Sequence, residues 1–209
     1  MTNSVARIKE IKCARKVVGF IEDRDFNRLL KAFDLSKFHE YRDYIVAQLI
    51  FDTGMRLGET LLIEETDIDF IKRTILLKAE NTKGKKDRYV FFSQEMLKQL
   101  RRWSQYKDRY RQSKYVFCTN KGKLLKVNNY ETNFKKYGER IGLSEIHPHM
   151  LRNNFAKRFL MQGGDIYTLS RILGHSSVKV TEEAYLDLDE NDLRINYQKY
   201  SPLANLKRG

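Results

Sequence analysis

At 209 residues the chain is long enough for one domain of ordinary size, and 41% apolar against 32% charged residues excludes a disordered composition. Two prolines and eleven glycines leave little material for long linkers, and the longest apolar run, Tyr44 to Phe51, is far too short to span a bilayer. Forty Lys plus Arg against 27 Asp plus Glu give a net charge of +13, which favours a polyanionic partner with salt-sensitive contacts.

The opening string M-T-N-S-V-A-R-I-K-E lacks the apolar segment of a secretory leader, so a cytoplasmic protein is expected. Anionic membranes also attract basic proteins, but no basic amphipathic helix stands out to lie on one. Cys13 and Cys118 lack metal-ligand spacing and read as free thiols. No carboxylate cluster suits Mg²⁺, so no magnesium site is expected.

Residues 1–19 carry five cations against Glu10 and read as a basic arm or interdomain linker. From Asp23, Phe26, Leu29, Leu30 and Phe33 recur at helical spacing. A second helix is predicted over Tyr41 to Phe51, with Gly54 as its stop, and a third from Arg56, whose buried side is marked by Leu57, Leu61 and Leu62. Arg56 and Glu59, three apart, share a face and can pair. Ile68 to Ile71, Thr74 to Leu77 and Arg88 to Phe92 are short β-branched and aromatic runs. Lys72-Arg73 forms a tight turn between the first two, and the basic segment 81–87 connects the second to the third. Together they predict a three-stranded antiparallel sheet.

Helix resumes from Gln94 to about Tyr110. Tyr115 to Phe117 is expected as a short strand, and Asn128 to Ile141 as a helix ending at Gly142. Pro148 blocks backward extension of the next helix, which runs to Met161 and stops at Gly163-Gly164. Asp165 caps a helix over Tyr167 to Leu173, with Gly174 as its stop, and Ser177 is placed to cap a last helix containing Tyr185. The fold class is α+β, mainly helical with one small sheet.

Six residues along this order can build one site: Arg56, Lys83, His149, Arg152, His175 and Tyr185. They lie in T-G-M-R-L-G-E, N-T-K-G-K-K-D-R, H-P-H-M-L-R, L-G-H-S-S and E-A-Y-L-D-L. His149 and Arg152, three apart, share one helix face, while Leu151, Phe155 and Phe159 form a separate packing stripe. His147, before Pro148, is expected in a turn. Arg56 at a helix start combines a bidentate fork with the anion preference of a helix N-terminus. Lys83 lies in a basic turn and can protonate a departing alkoxide. His175 follows a helix stop, where its imidazole can reach a phosphoryl oxygen. Tyr185 has an ordinary pKa near ~10 and needs help to attack. Each residue has an ordinary structural role when taken alone: a salt bridge, a solvated turn, a cap. As an ordered set in a basic chain they surround a phosphate and supply a nucleophile.

These strings resemble the catalytic domain of the tyrosine recombinases, the phage-type integrase family, from about Ile21 to Leu188, and Gly54, Glu59, Leu151, Leu173 and Gly174 match as flanking positions. The resemblance implies an integrase-like catalytic core, the fold of DNA breaking–rejoining enzymes, and a division of labour. Tyr185 attacks a DNA phosphodiester to give a 3′-phosphotyrosyl bond, and Lys83 protonates the leaving 5′-oxygen. Arg56 and Arg152 clamp the non-bridging oxygens. His149 takes or holds the tyrosine proton, and His175 donates to a phosphoryl oxygen. It also implies double-stranded DNA as partner, a homotetramer on DNA that is monomeric when free, and residues 189–209 as a tail docking on a neighbouring subunit or on its own domain.

His175 and Tyr185 are ten apart, where many members have nine. Members usually also carry a helical DNA-clamping domain before the catalytic one, so this chain is expected to be a catalytic fragment or a minimal member, and to bind DNA weakly by itself. The alternatives are a type IB-like topoisomerase, a telomere resolvase, a silent DNA-binding module derived from an integrase, or a generic basic helical protein.

Overall fold

A computed structural model describes residues 19–82, 84–175 and 177–185, together with 194, 197–199 and 201; for 183–185 it describes the helical backbone alone. These residues form helices α1 (Asp23–Lys31), α2 (Phe38–Thr53), α3 (Leu57–Leu61), α4 (Gln94–Tyr110), α5 (Val127–Glu139), α6 (His149–Met161), α7 (Ile166–Leu173) and α8 (Val178–Tyr185). Strands β1 (Ile68–Asp69), β2 (Thr74–Leu77) and β3 (Arg88–Phe91) lie between α3 and α4. The expected α+β class, mainly helical with one small antiparallel sheet, is what the chain adopts. Cys13 and most of the 189–209 tail fall outside the described residues, and Cys118 is a buried free thiol. No helix among the described residues is long and apolar enough to cross a membrane.

Helix α2 is the axis of the domain. Ile45, Val46, Ala47, Leu49 and Ile50 bury residues on every side of it, the pattern of a helix enclosed by others. It packs against α4 and α6. Polar residues inside its first turns are all partnered. Glu40 takes two hydrogen bonds from Arg140, at 2.6 and 3.0 Å, and Asp43 takes bonds from Arg42, Asn133 and Tyr137. Gly54 ends α2 in the left-handed region at φ 68°. A Cβ there would stand 2.4 Å from Phe155 and 2.9 Å from Leu173, so glycine is required by conformation and by space.

The sheet runs β1-β2-β3, with Ile68 opposite Ile75 and Leu77 opposite Arg88. β1 stops two residues before the expected Ile71. The carboxylate of Asp69 accepts from Ile71 N at 2.9 Å and Lys72 N at 2.8 Å, which starts the turn early, and Arg73 closes it at φ 54°. The alternation on β3 turns Tyr89 and Phe91 outward and Arg88 and Val90 inward.

Tyr115 to Phe117 is not the strand expected. Val116 donates its N–H to Ile63 O at 2.9 Å, and its carbonyl accepts from the buried Trp103 Nε1 at 2.9 Å, so only isolated bridges form at Tyr115 and Cys118.

The apolar stripe of α6 is divided between two clusters. Leu151 belongs to the main core with α1, α2 and α5, whereas Phe155 and Phe159 pack beside Ala156, Leu169 and Leu173 in a smaller cluster between α6 and α7. On its other side α6 is laced to the entering chain. Asn154 accepts from Ile21 N at 2.9 Å and donates to Ile21 O, and Asn153 donates to Gly19 O at 3.1 Å.

Candidate active site

The site forms where three chain breaks meet: the end of α2, the start of α6 and the end of α7. Pro148 immediately precedes α6, so the helix opens at His149 and its first turn brings Arg152 inward. Arg152 is 1% exposed and held at both forks of its guanidinium. Nη1 donates to Gly54 O at 2.6 Å and Nη2 to Leu173 O at 3.0 Å. Arg56 Nη1 reaches the same Leu173 carbonyl at 3.4 Å. Two arginines from segments nearly a hundred residues apart therefore converge on one oxygen, close enough for a single phosphoryl group to engage both.

The start of α3 is organised differently from the sequence expectation. α3 has only five residues, too few for a substantial macrodipole, and its first turn already holds an anion. Glu59 Oε2 accepts from Arg56 N at 3.1 Å, while Oε1 accepts from Arg56 Nη1 at 3.1 Å, so the expected Arg56–Glu59 pair is present. The Arg56 side chain itself remains 30% exposed.

Glu59 has a second partner that sequence reasoning missed. Arg88, inward on β3, donates Nη1 to Glu59 Oε1 at 3.1 Å and Nη2 to Oε2 at 2.7 Å, and its Nε reaches Ile172 O at 3.4 Å. Burial opposes ionisation of Glu59, yet the hydrogen bonds and charge of Arg88, with those of Arg56, hold its carboxyl below the usual glutamate value.

Gly174 ends α7 at φ 65°, and His175 follows with its N–H on Ser170 O. His175 Nε2 lies 2.9 Å from Arg152 Nη2, and Nδ1 lies 2.8 Å from Thr181 Oγ1 on α8. A guanidinium can only donate, so Nε2 is the acceptor and Nδ1 carries the proton that bonds Thr181. Burial, then the charges of Arg152, Arg56 and Arg88, push the imidazole pKa down to about 4. His149 stays open to solvent at the mouth of the site. Partial desolvation, followed by Arg152, His147 and Arg56, holds it below the ordinary histidine value. Both histidines are neutral near pH 7.

Of the six sequence candidates, Arg56, His149, Arg152 and His175 are brought together. Tyr185 is the last residue of α8, one helical turn beyond Thr181, and α8 packs on α6 and α7. Lys83 lies outside the described residues. The hairpin around it is closed by Thr82 Oγ1, which donates to Lys86 O at 3.1 Å, and by Asp87, which accepts from Ala79 N at 2.6 Å. Arg88 and Thr181 were not singled out in the sequence; an inward position next to the basic turn was the available signal for Arg88. Among the described residues no group of three His, Cys, Asp or Glu side chains is placed to hold a metal.

The fold is the one shared by the catalytic domains of the tyrosine recombinase class. The chain belongs to the phage integrase family, whose pattern matches residues 20–192. It is 31% identical over 199 residues to the tyrosine recombinase XerC of Pediococcus pentosaceus, covering 91% of this chain and 65% of that protein. It thus spans just under two thirds of the length of that relative. The crystal structure of XerA recombinase superposes with a TM-score of 0.76 at 28% identity, over 90% of this chain and 66% of the other. The catalytic domain of bacteriophage HP1 integrase gives 0.58 at 26% identity, over 90% of this chain and 98% of the other.

Proposed function

We propose that this chain is the catalytic domain of a site-specific DNA recombinase, spanning residues 20–188, that cuts and rejoins strands through a 3′-phosphotyrosyl intermediate. The observation that carries the reading is the convergence of Arg56 and Arg152 on one carbonyl oxygen, flanked by two neutral histidines, in a chain of net charge +13.

In the step proposed, the Tyr185 hydroxyl oxygen forms a bond to phosphorus and the bond from phosphorus to the 5′-oxygen breaks. Neutral His149 accepts the phenolic proton, the protonation state a base requires. Lys83 gives a proton to the departing 5′-oxygen. Arg56 and Arg152 offset the charge that gathers on the non-bridging oxygens of the pentacoordinate transition state. His175 acquires a role when the phosphate arrives. The anion favours the imidazolium, whose Nε2 then donates to phosphate and releases Arg152 Nη2 to do the same. Attack by a second strand's 5′-hydroxyl reverses the sequence, so the energy of the broken bond is retained in the phosphotyrosine.

The proposed partner is double-stranded DNA, engaged by a homotetramer, with residues 189–209 reaching a neighbouring subunit and the chain acting in the cytoplasm. The test is a pool of nicked duplexes with randomised core sequence, in which the cut strand loses a short 5′-hydroxyl fragment and the adduct is trapped. Wild-type protein is expected to yield a denaturation-resistant protein–DNA adduct, and Tyr185→Phe none. Adduct formation by Tyr185→Phe overturns the nucleophile assignment, and its absence with wild-type protein over the whole pool overturns the reading.

A further inference from the structure

We propose that Arg88 is a positioning residue of the phosphate site, acting through Glu59 to keep the charge of Arg56 available to the substrate. The inference rests on the reading that Arg56 faces the scissile phosphate.

Glu59 is 4% exposed, and both of its oxygens touch Arg56. With no other partner, this carboxylate would cancel the cation that is meant to bind a phosphodiester. A buried charge at hydrogen-bond distance is a strong competitor for an anionic ligand because little solvent screens it. Arg88 changes the balance. It meets the same two oxygens in a side-on fork, and its side chain is only 13% exposed, so its charge is spent on Glu59 and not on substrate. One carboxylate between two guanidiniums leaves one net positive charge, and it resides on the member of the pair with the more exposed side chain, Arg56.

Arg88 also occupies a mechanical junction. It is the first residue of β3, directly after the hairpin that contains Lys83, and its Nε touches Ile172 O near the end of α7. The main chain between Leu173, which holds both site arginines, and His175 passes over its guanidinium. A Cβ on Gly174 would stand 2.8 Å from Arg88 Nε. The same side chain thus joins the general-acid hairpin, the Arg56 turn and the α7 terminus that carries His175.

Charge accounting gives a test that a purely structural role does not share. The variants are Arg88→Gln, Arg88→Lys and the double variant Glu59→Gln with Arg88→Gln, each checked for folding by thermal melting. Two readouts are used: the dissociation constant of inorganic phosphate at low ionic strength, and the rate of adduct formation on the duplex selected by wild-type protein. Arg88→Gln is expected to weaken phosphate binding about 10-fold and to slow the adduct by at least as much, as lost charge-assisted contacts do. Removing the carboxylate as well is expected to restore phosphate binding to within about 3-fold of wild type, and Arg88→Lys, which keeps the charge but loses the fork, to fall between wild type and Arg88→Gln.

A double variant no better than Arg88→Gln, or an Arg88→Lys as impaired as Arg88→Gln, overturns the proposal. If Arg88→Gln does not fold, the comparison of Arg88→Lys and the double variant with wild type decides it in the same way. Phosphate binding separates this inference from the functional reading. An intact phosphate pattern without any wild-type adduct defeats the recombinase reading alone, and an active wild type without the double-variant rescue defeats the role of Arg88 alone.

Discussion

Arg152 and His175 form a one-directional hydrogen bond, 2.9 Å from Nη2 to Nε2, that exists only while the imidazole is neutral. Protonating Nε2 sets two donors against each other and opens the contact. The pair is therefore sensitive to any anion that stabilises the imidazolium.

A proton titration of the His175 ring by NMR should find its pKa far below 6.5, near about 4. Inorganic phosphate should raise it, because the anion stabilises the charged ring. The stability consequence has a definite sign. Between about 4 and the unfolded value near 6.5, the unfolded chain binds the proton and the folded chain does not. The contribution of His175 is thus complete above about pH 6.5 and is lost as pH falls through that window. His175→Asn should flatten the slope of unfolding free energy against pH between those limits, as measured by urea titration. An unchanged slope would contradict the assignment.

Arg152→Gln should lower the rate of adduct formation by on the order of 10²–10³, the usual cost of one preorganised charge-stabilising donor. It should also destabilise the fold, by about 1–3 kcal/mol, because the carbonyls of Gly54 and Leu173 both lose a charged donor. Denaturant unfolding measured beside single-turnover cleavage separates the two effects.

Gly54→Ala combines two penalties. The left-handed conformation costs a Cβ about 1–2 kcal/mol, and the clash with Phe155 and Leu173 adds about 1–3 kcal/mol. A loss of about 2–5 kcal/mol in unfolding free energy is expected. Since Gly54 O anchors Arg152, cleavage should fall even in the fraction that remains folded.

Much of this arrangement was legible because it depends on local chemistry. Gly54, Gly142 and Gly174 mark helix ends where the backbone turns left-handed, and Asp165 caps α7 through Thr168 N as its side chain dictates. The opening of α6 at His149 follows from Pro148 alone. What escaped notice depends on partners distant in sequence. Arg88 reads as one more cation beside a basic turn until Glu59, 29 positions earlier, is folded against it. Val116 lies in a run that favours a strand, but its carbonyl is claimed by the indole of Trp103. The brevity of α3 was likewise hidden, since Leu57, Leu61 and Leu62 fit a longer helix equally well.

Lys83→Ala tests the remaining member of the set by leaving-group chemistry. With an ordinary 5′-oxygen leaving group the variant should cleave slowly. A duplex with sulfur at the bridging 5′ position should restore the rate, because a thiolate, with a parent thiol pKa near ~8.5, departs without protonation. Equal impairment on both duplexes would assign Lys83 to binding instead.

The lacing of Gly19 and Ile21 onto Asn153 and Asn154 has a mechanical consequence. Tension along the polypeptide upstream of Gly19 enters the domain through α6 before it reaches α1, and α6 is the rod whose first turn bears His149 and Arg152. The two asparagines tie the leading chain directly to the helix that bears His149 and Arg152.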